Sequence, residues 1–297
     1  MPSQSNATFN FLSSINLSHL LSRSASTDFI SSFRSFGNLS DWTTKKEKRD
    51  TVNLTYGGGP VISNVEVTPI FYDASTRFQP EMLNFYSAIT DSVYMNACQF
   101  PSSHLTSFFL LCRLLKSFSS VQEYSTQTQL IGRGKLVGSY VETGTIKGNL
   151  NDANDVRPYV RSLVEQGILN PNSNSYYPIH FTKGINITTS GGRSCVNFAG
   201  YHSAVYTADI SGVDWTAYGV IPLCDDNLNI MLHPVSHELA EAITDPFPES
   251  GWKSRSKSVG EIADLCNWVG GQVVDSTGKK WEVEPVWSNK QQKMHFL

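Results

Sequence analysis

The sequence predicts an α+β fold: a mixed β-sheet, a few helices and a C-terminal β-hairpin. Three observations lead there. Short alternating or β-branched runs are separated by runs with apolar residues at helical intervals. One stretch, HELAEAITDP from His237 to Pro246, gathers His and Glu side chains at helical spacing. The last segment of the chain divides into two strand-like runs around a polar turn.

Residues 1–50 mix Ser, Asn and Thr with isolated apolar residues and end in Lys45-Lys46-Glu47-Lys48-Arg49-Asp50, the composition of a disordered leader with a solvated charge run. The folded domain is expected over 51–297, with the composition changing at Val52. Tyr56 to Pro60 is a turn cluster and Val61 to Tyr72 reads as a strand. Arg77 to Asn96 reads as a helix, since Met82, Leu83, Phe85, Tyr86 and Ile89 recur at helical intervals. Residues 97–120 break the pattern: the apolar core FFLLCRLL has Ser-rich flanks, and removing the segment would join SVYMN smoothly to VQEYSTQTQ.

Val137 to Ile146 alternates as a strand does. A turn over Asn149 to Asn154 leads to a helix over Asp155 to Gln166, with Asp155 as its N-cap. Tyr177 to Thr188 is read as a strand closed by Ser190-Gly191-Gly192. CVNFAGYHSAVY and WTAYGVIPLC read as two more strands, the first of which delivers His202 toward the His/Glu stretch. Gly270 to Val274 and Lys280 to Trp287 form the terminal hairpin, with Trp281 and Trp287 on the same side of one strand.

His237 and Glu241 are four residues apart, so on a helix they share one face and can grip one ion. Pro234 limits or kinks the near end of this helix, and Asp245-Pro246 stops the far end because a residue before proline avoids the α region. The pattern HExxE is related to the HExxH of zinc peptidases, in which the intervening Glu acts as general base on water at the metal. Glu238 holds that place here. Glu261, in the acidic cluster GEIADLC, is the expected third ligand, and Asp264 is expected to orient His237 or to serve as an alternative ligand. His202 is a further ligand or a stabiliser of the transition state. The outline is zincin-like, and the cation is expected to be zinc, although a carboxylate-rich set widens the field to manganese or calcium.

A net charge of −3 and the lack of a basic stripe argue against nucleic acid as a partner. No run approaches the ~20 apolar residues that span a membrane. The first residues show no export signal, yet Asn6, Asn16, Asn38, Asn53 and Asn186 each begin an Asn-x-Ser/Thr sequon, as in a glycoprotein.

SHELAEAITDP, followed by Gly251-Trp252 and GEIADLC, resembles the C-terminal signature of the EXORDIUM, or phosphate-induced, protein family and its fungal and bacterial relatives. Tyr56-Gly57-Gly58-Gly59-Pro60-Val61 running into NVEVTPIFY resembles the family's opening YxxGP and first strand. CVNFAGYHS, from Cys195 to Ser203, resembles its CxxxxCGFHG element, with Ala199 in place of the second cysteine. The likeness spans residues 56–287 in separated blocks, and 97–120 reads as an insertion atypical of the family. It implies an extracellular protein with a role in the cell wall or in growth, and a cell-wall or other extracellular partner. Cys195, Cys224 and Cys266 fall in the family-like blocks, so one disulfide among the three is expected, with the pair left open. Two functions follow: a non-catalytic extracellular factor whose metal stabilises the fold, and an active metal-dependent hydrolase.

Overall fold

Prolines and glycines cut the expected strands into short pieces. The computed structural model describes residues 52–95, 121–144, 147–255 and 260–295; the expected leader (1–50) and insertion (97–120) lie outside them. The long strand expected over 61–72 is two short ones around Pro69, which has no N–H to give a ladder.

In chain order the strands are β1 (Leu54–Tyr56), β2 (Glu66–Val67), β3 (Ile70–Phe71), β4 (Lys135–Leu136), β5 (Tyr140–Val141), β6 (Asn149–Asn151), β7 (Ser175–His180) and β8 (Asn186–Thr189). They continue as β9 (Gly192–Arg193), β10 (Tyr201–Tyr206), β11 (Trp215–Ile221), β12 (Trp252–Ser254), β13 (Gly271–Val274), β14 (Lys280–Val283), β15 (Val286–Ser288) and β16 (Lys293–His295). The main helices are α1 (Gln79–Thr90), α2 (Arg157–Glu165) and α3 (Leu228–Thr244).

The fold is mixed α and β. The central sheet runs β10-β11-β7-β2-β4, with β3 paired to β7 and β5. Only β10–β11 is antiparallel in it; every other pairing is parallel. Parallel strands need cover on both faces. All six residues of β7 are buried, and the core divides accordingly. Tyr176 joins the side packed by α1, α3 and the C-terminal hairpins, while Tyr177 joins the side packed by α2, β6 and β8. No described helix is long and apolar enough to cross a membrane.

Several local expectations change. The strand expected over 177–188 leaves the central sheet after His180, and β8 pairs with β6 and β9 instead. Asp155 does not cap a helix there. Asn149–Asn151 is a strand, Asn151 caps a π-helical turn over Asp152–Val156, and the Asp155 carboxylate takes the Asn151 N–H at 2.8 Å. Trp281 and Trp287 are both buried but lie on different strands, because Glu284-Pro285 separates β14 from β15. Cys195 and Cys224 form a disulfide spanning 29 residues, and Cys266 is buried elsewhere, in the turn Asp264–Cys266. A bridge closing a loop of that size contributes ~3–4 kcal/mol by restricting the unfolded chain.

The described chain closes neatly on either side of the 97–120 segment. The Val121 N–H donates to the Tyr94 carbonyl at 3.2 Å, and Tyr94, Met95 and Val121 are all fully buried. If Asn96 were joined directly to Val121, that bond would become the first-to-fourth bond of a four-residue turn, with Asn at its third position, where turns accept it well. Deleting 97–120 should therefore cost less than ~1 kcal/mol, or ~2–4 °C in melting temperature for a domain of this size. Thermal melts followed by circular dichroism check this; loss of cooperative melting in the shortened chain would contradict it.

Candidate metal centre

Helix α3 is the element on which the centre is built. Asn227 starts it, its side chain accepting the Asn229 N–H at 3.0 Å. The helix continues past Pro234, so that residue does not limit it. Every residue from Ile230 to Thr244 is buried, which forces each polar side chain along it to find a partner inside the protein. Ser236 bonds back to the Leu232 and His233 carbonyls and receives the Glu284 N–H at 2.8 Å. Asp245 ends the helix as expected. Its buried carboxylate accepts the N–H groups of Glu249, Ser250 and Gly251, folding the next loop back onto the helix end.

Two buried histidines reach this acid cluster from different elements. His237 lies on α3. Its Nδ1–H donates to Glu284 Oε2 at 3.1 Å, so in the neutral ring Nε2 carries a lone pair. That nitrogen lies 3.2 Å from Glu241 Oε1 and 3.6 Å from Asp264 Oδ1. His202 comes from β10, and its Nε2–H donates to the Asp245 carbonyl at 3.0 Å. Its Nδ1 lies 3.3 Å from Glu238 Oε2 and 3.7 Å from Glu241 Oε2. Glu241 thus stands between the rings with one oxygen toward each. Its Oε1 also accepts the Ala263 and Asp264 N–H groups, both at 3.2 Å, tying the helix to the GEIADLC segment.

Lone pairs do not rest against carboxylate oxygens unless a proton or a cation lies between them. Donor atoms held ~2.0–2.1 Å from a zinc ion in tetrahedral array stand ~3.3–3.4 Å apart, close to the spacings around both histidines. Two groups, His237–Glu241–Asp264 and His202–Glu238–Glu241, each place their donor atoms within 4.8 Å of one another. These buried groups could hold a metal ion. Glu261 lies on the other side of the His202 ring: its buried Oε2 is 3.5 Å from Nε2 and has no hydrogen-bond partner among the described residues.

The electrostatics show the same tension. Burial opposes charge on His237, but the carboxylates of Glu241 and Glu284, with the bonds to Asp264, outweigh it and hold the ring well above its ordinary pKa. Burial likewise opposes charge on His202, yet Glu261, Glu238 and Glu241 push it up to about 10. Burial raises Glu241 to about 7 against the pull of His237, and raises Glu261 far above the carboxylate range. With no cation the cluster therefore retains protons, and metal binding would release them and strengthen as pH rises.

Of the predicted residues, His237, Glu241 and Asp264 share one group, and Glu238 and His202 share another with Glu241. Glu261 stands at the far nitrogen of His202 rather than beside His237, so the expected set His237, Glu241 and Glu261 does not converge as a unit. Asp264 faces Nε2, the ligand side of His237, and the orienting place at Nδ1 belongs to Glu284. Sequence reasoning missed Glu284. Its one signal is an acid inside the apolar run Val283-Glu284-Pro285-Val286, where only an internal partner makes burial tolerable.

Glu284 is fully engaged: Oε2 takes the His237 proton, Oε1 takes the Trp268 N–H, and its carbonyl accepts the Tyr94 hydroxyl at 3.0 Å. Glu284→Gln should weaken zinc binding by ~10–100-fold, the usual effect of losing a carboxylate behind a ligating imidazole. Competition with a chromophoric chelator measures it, and unchanged affinity would remove Glu284 from the centre. No family model matches the chain, and the comparisons with curated proteins and with solved structures found no match.

Proposed function

We propose that the protein is an EXORDIUM-like extracellular protein in which a divalent cation, zinc by its donor set, binds between α3 and the C-terminal segment and holds them together. The observation that carries this reading is the pairing at His237: one ring nitrogen is fixed by Glu284 while the other points at Glu241 and Asp264. A His–carboxylate set on a helix packed against a mixed sheet is also what a zincin-like reading requires. The disulfide supports an oxidising compartment.

The family resemblance gains support from the way its separated blocks meet. The Gly57 and Gly59 N–H groups donate to the carbonyls of Gly251 and Ser250, and the Ile62 N–H donates to the Ile243 carbonyl of α3. Tyr56 packs on Trp252, 5.4 Å between ring centres, and His202 of the CVNFAGYHS block sits on the Asp245 carbonyl. Blocks that resemble one family thus surround one site. An extracellular role in cell wall or growth, with a partner there, follows from that resemblance.

Elemental analysis of purified protein tests the metal. His237→Ala should lose the ion at this position and destabilise the C-terminal segment, because Glu241, Asp264 and Glu284 would then face one another without their shared imidazole. Unchanged metal content in that variant would overturn the assignment.

A hydrolase is the second reading, favoured by one observation: the side chain of Asp264, a member of the donor group of His237, is 41% exposed. A zinc ion there would act as a Lewis acid toward a substrate carbonyl or an incoming water. Glu238, whose side chain has room because residue 200, just before β10, is glycine, would accept the proton of that water. Glu238→Gln should then leave the ion at His237 in place while turnover falls by at least ~10²-fold. Unchanged hydrolysis with that ion retained would remove Glu238 from the reaction.

A further inference from the structure

We infer that the cluster is built for two cations, bridged by Glu241, with the second held by His202 Nδ1, Glu238 Oε2 and Glu241 Oε2. This rests on the metal-binding reading above and deepens it. The first cation is the one assigned to His237, Glu241 Oε1 and Asp264.

Four observations carry it. Glu241 directs its two oxygens into separate donor groups, each with its own histidine, as a bridging carboxylate does. His202 repeats the arrangement of His237: one nitrogen is committed as a donor, here to the Asp245 carbonyl, and the other faces two carboxylate oxygens. A single ion at His237 would leave that second contact to be resolved by a proton alone.

Charge balance points the same way. Glu238, Glu241, Glu261, Asp264 and Glu284 surround two imidazoles, and among the described residues their ion pairs are to His202 and His237 alone. One dication leaves a large negative excess in a buried place, where uncompensated charge is costly. Two offset more of it.

The fourth observation is an unpartnered polar atom beside the second group. Among the described residues the hydroxyl of Tyr176, which is fully buried, has no hydrogen-bond partner. Tyr176 reaches this place because residue 219 is glycine: a Cβ there would collide with the hydroxyl, and Gly219 is the residue paired with His202 across β10 and β11. The strand pair is hollowed next to His202 to admit a polar group that no described residue satisfies. A water on the second ion would satisfy it. Two ions sharing a carboxylate in this way lie ~3.5–4 Å apart.

Equilibration with zinc followed by elemental analysis should give two ions per chain. His202→Gln, which keeps a side-chain donor for the Asp245 carbonyl, should reduce this to one, and His237→Ala should also leave one. Manganese(II) loading of the unaltered protein gives a reading that needs no mutation: electron paramagnetic resonance should show an exchange-coupled pair rather than the six-line spectrum of an isolated ion. One ion per chain with an uncoupled spectrum would overturn the second site and leave the first intact. No bound ion at all would overturn both, and two ions retained in His202→Gln would overturn the assignment of the second.

Discussion

The constraint on which this structure turns is the burial of several carboxylates around one helix without a lysine or arginine among the described residues to balance them. Removing an ionised carboxylate from water is costly, and the usual remedies are hydrogen bonds, an opposite charge or protonation. All three remedies are at work along α3. Asp245 is satisfied by backbone N–H groups, Glu284 by the Trp268 N–H and the His237 ring, and Glu241 by the N–H groups of Ala263 and Asp264. Glu238 and Glu261 are left to histidine. The neighbouring architecture follows: strands that must place His202, a loop that must return to Asp245, and a hairpin that must bring Glu284 under the helix.

These satisfying groups come from distant parts of the chain, and that distance couples the fold together. Tyr94, at the end of the α1 region, donates its hydroxyl to the carbonyls of Ser236 and Glu284. Tyr124 donates to the Trp287 carbonyl, and the Trp287 indole donates to the Val52 carbonyl. A change at the cluster is therefore felt near both ends of the described chain. Long-range contacts of this kind also slow folding, since their loops must close before the contacts form.

What could be read from the sequence was chiefly what is local. The HELAEAITDP helix, its stop at Asp245-Pro246 and the hairpin around Asp275 to Lys279 are set by spacing and turn chemistry within a few residues. His202 was also within reach, because a histidine in an apolar alternating run asks for a buried partner. Glu284 was not, since its partner is 47 residues away and nothing in VEPVW announces it. Strand lengths failed for a similar reason. Alternation over 61–72 and 177–188 describes burial on both faces of the sheet, but where the ladder breaks depends on Pro69 and on the turn at Thr182 to Ile185, which strand propensity does not weigh.

The turn-like closure at Tyr94 and Val121 has a consequence for how this protein can be extended. The peptide N–H and carbonyl that meet there set the two chain ends side by side, while the Tyr94 ring runs to the backbone that carries Glu284. A foreign domain whose own termini are adjacent could be spliced in at this port without forcing the scaffold apart. Because the same tyrosine touches the backbone behind His237, an optical reporter grafted there would sit two residues from the His–carboxylate cluster's own wiring, making the port a natural place to read its occupancy from outside.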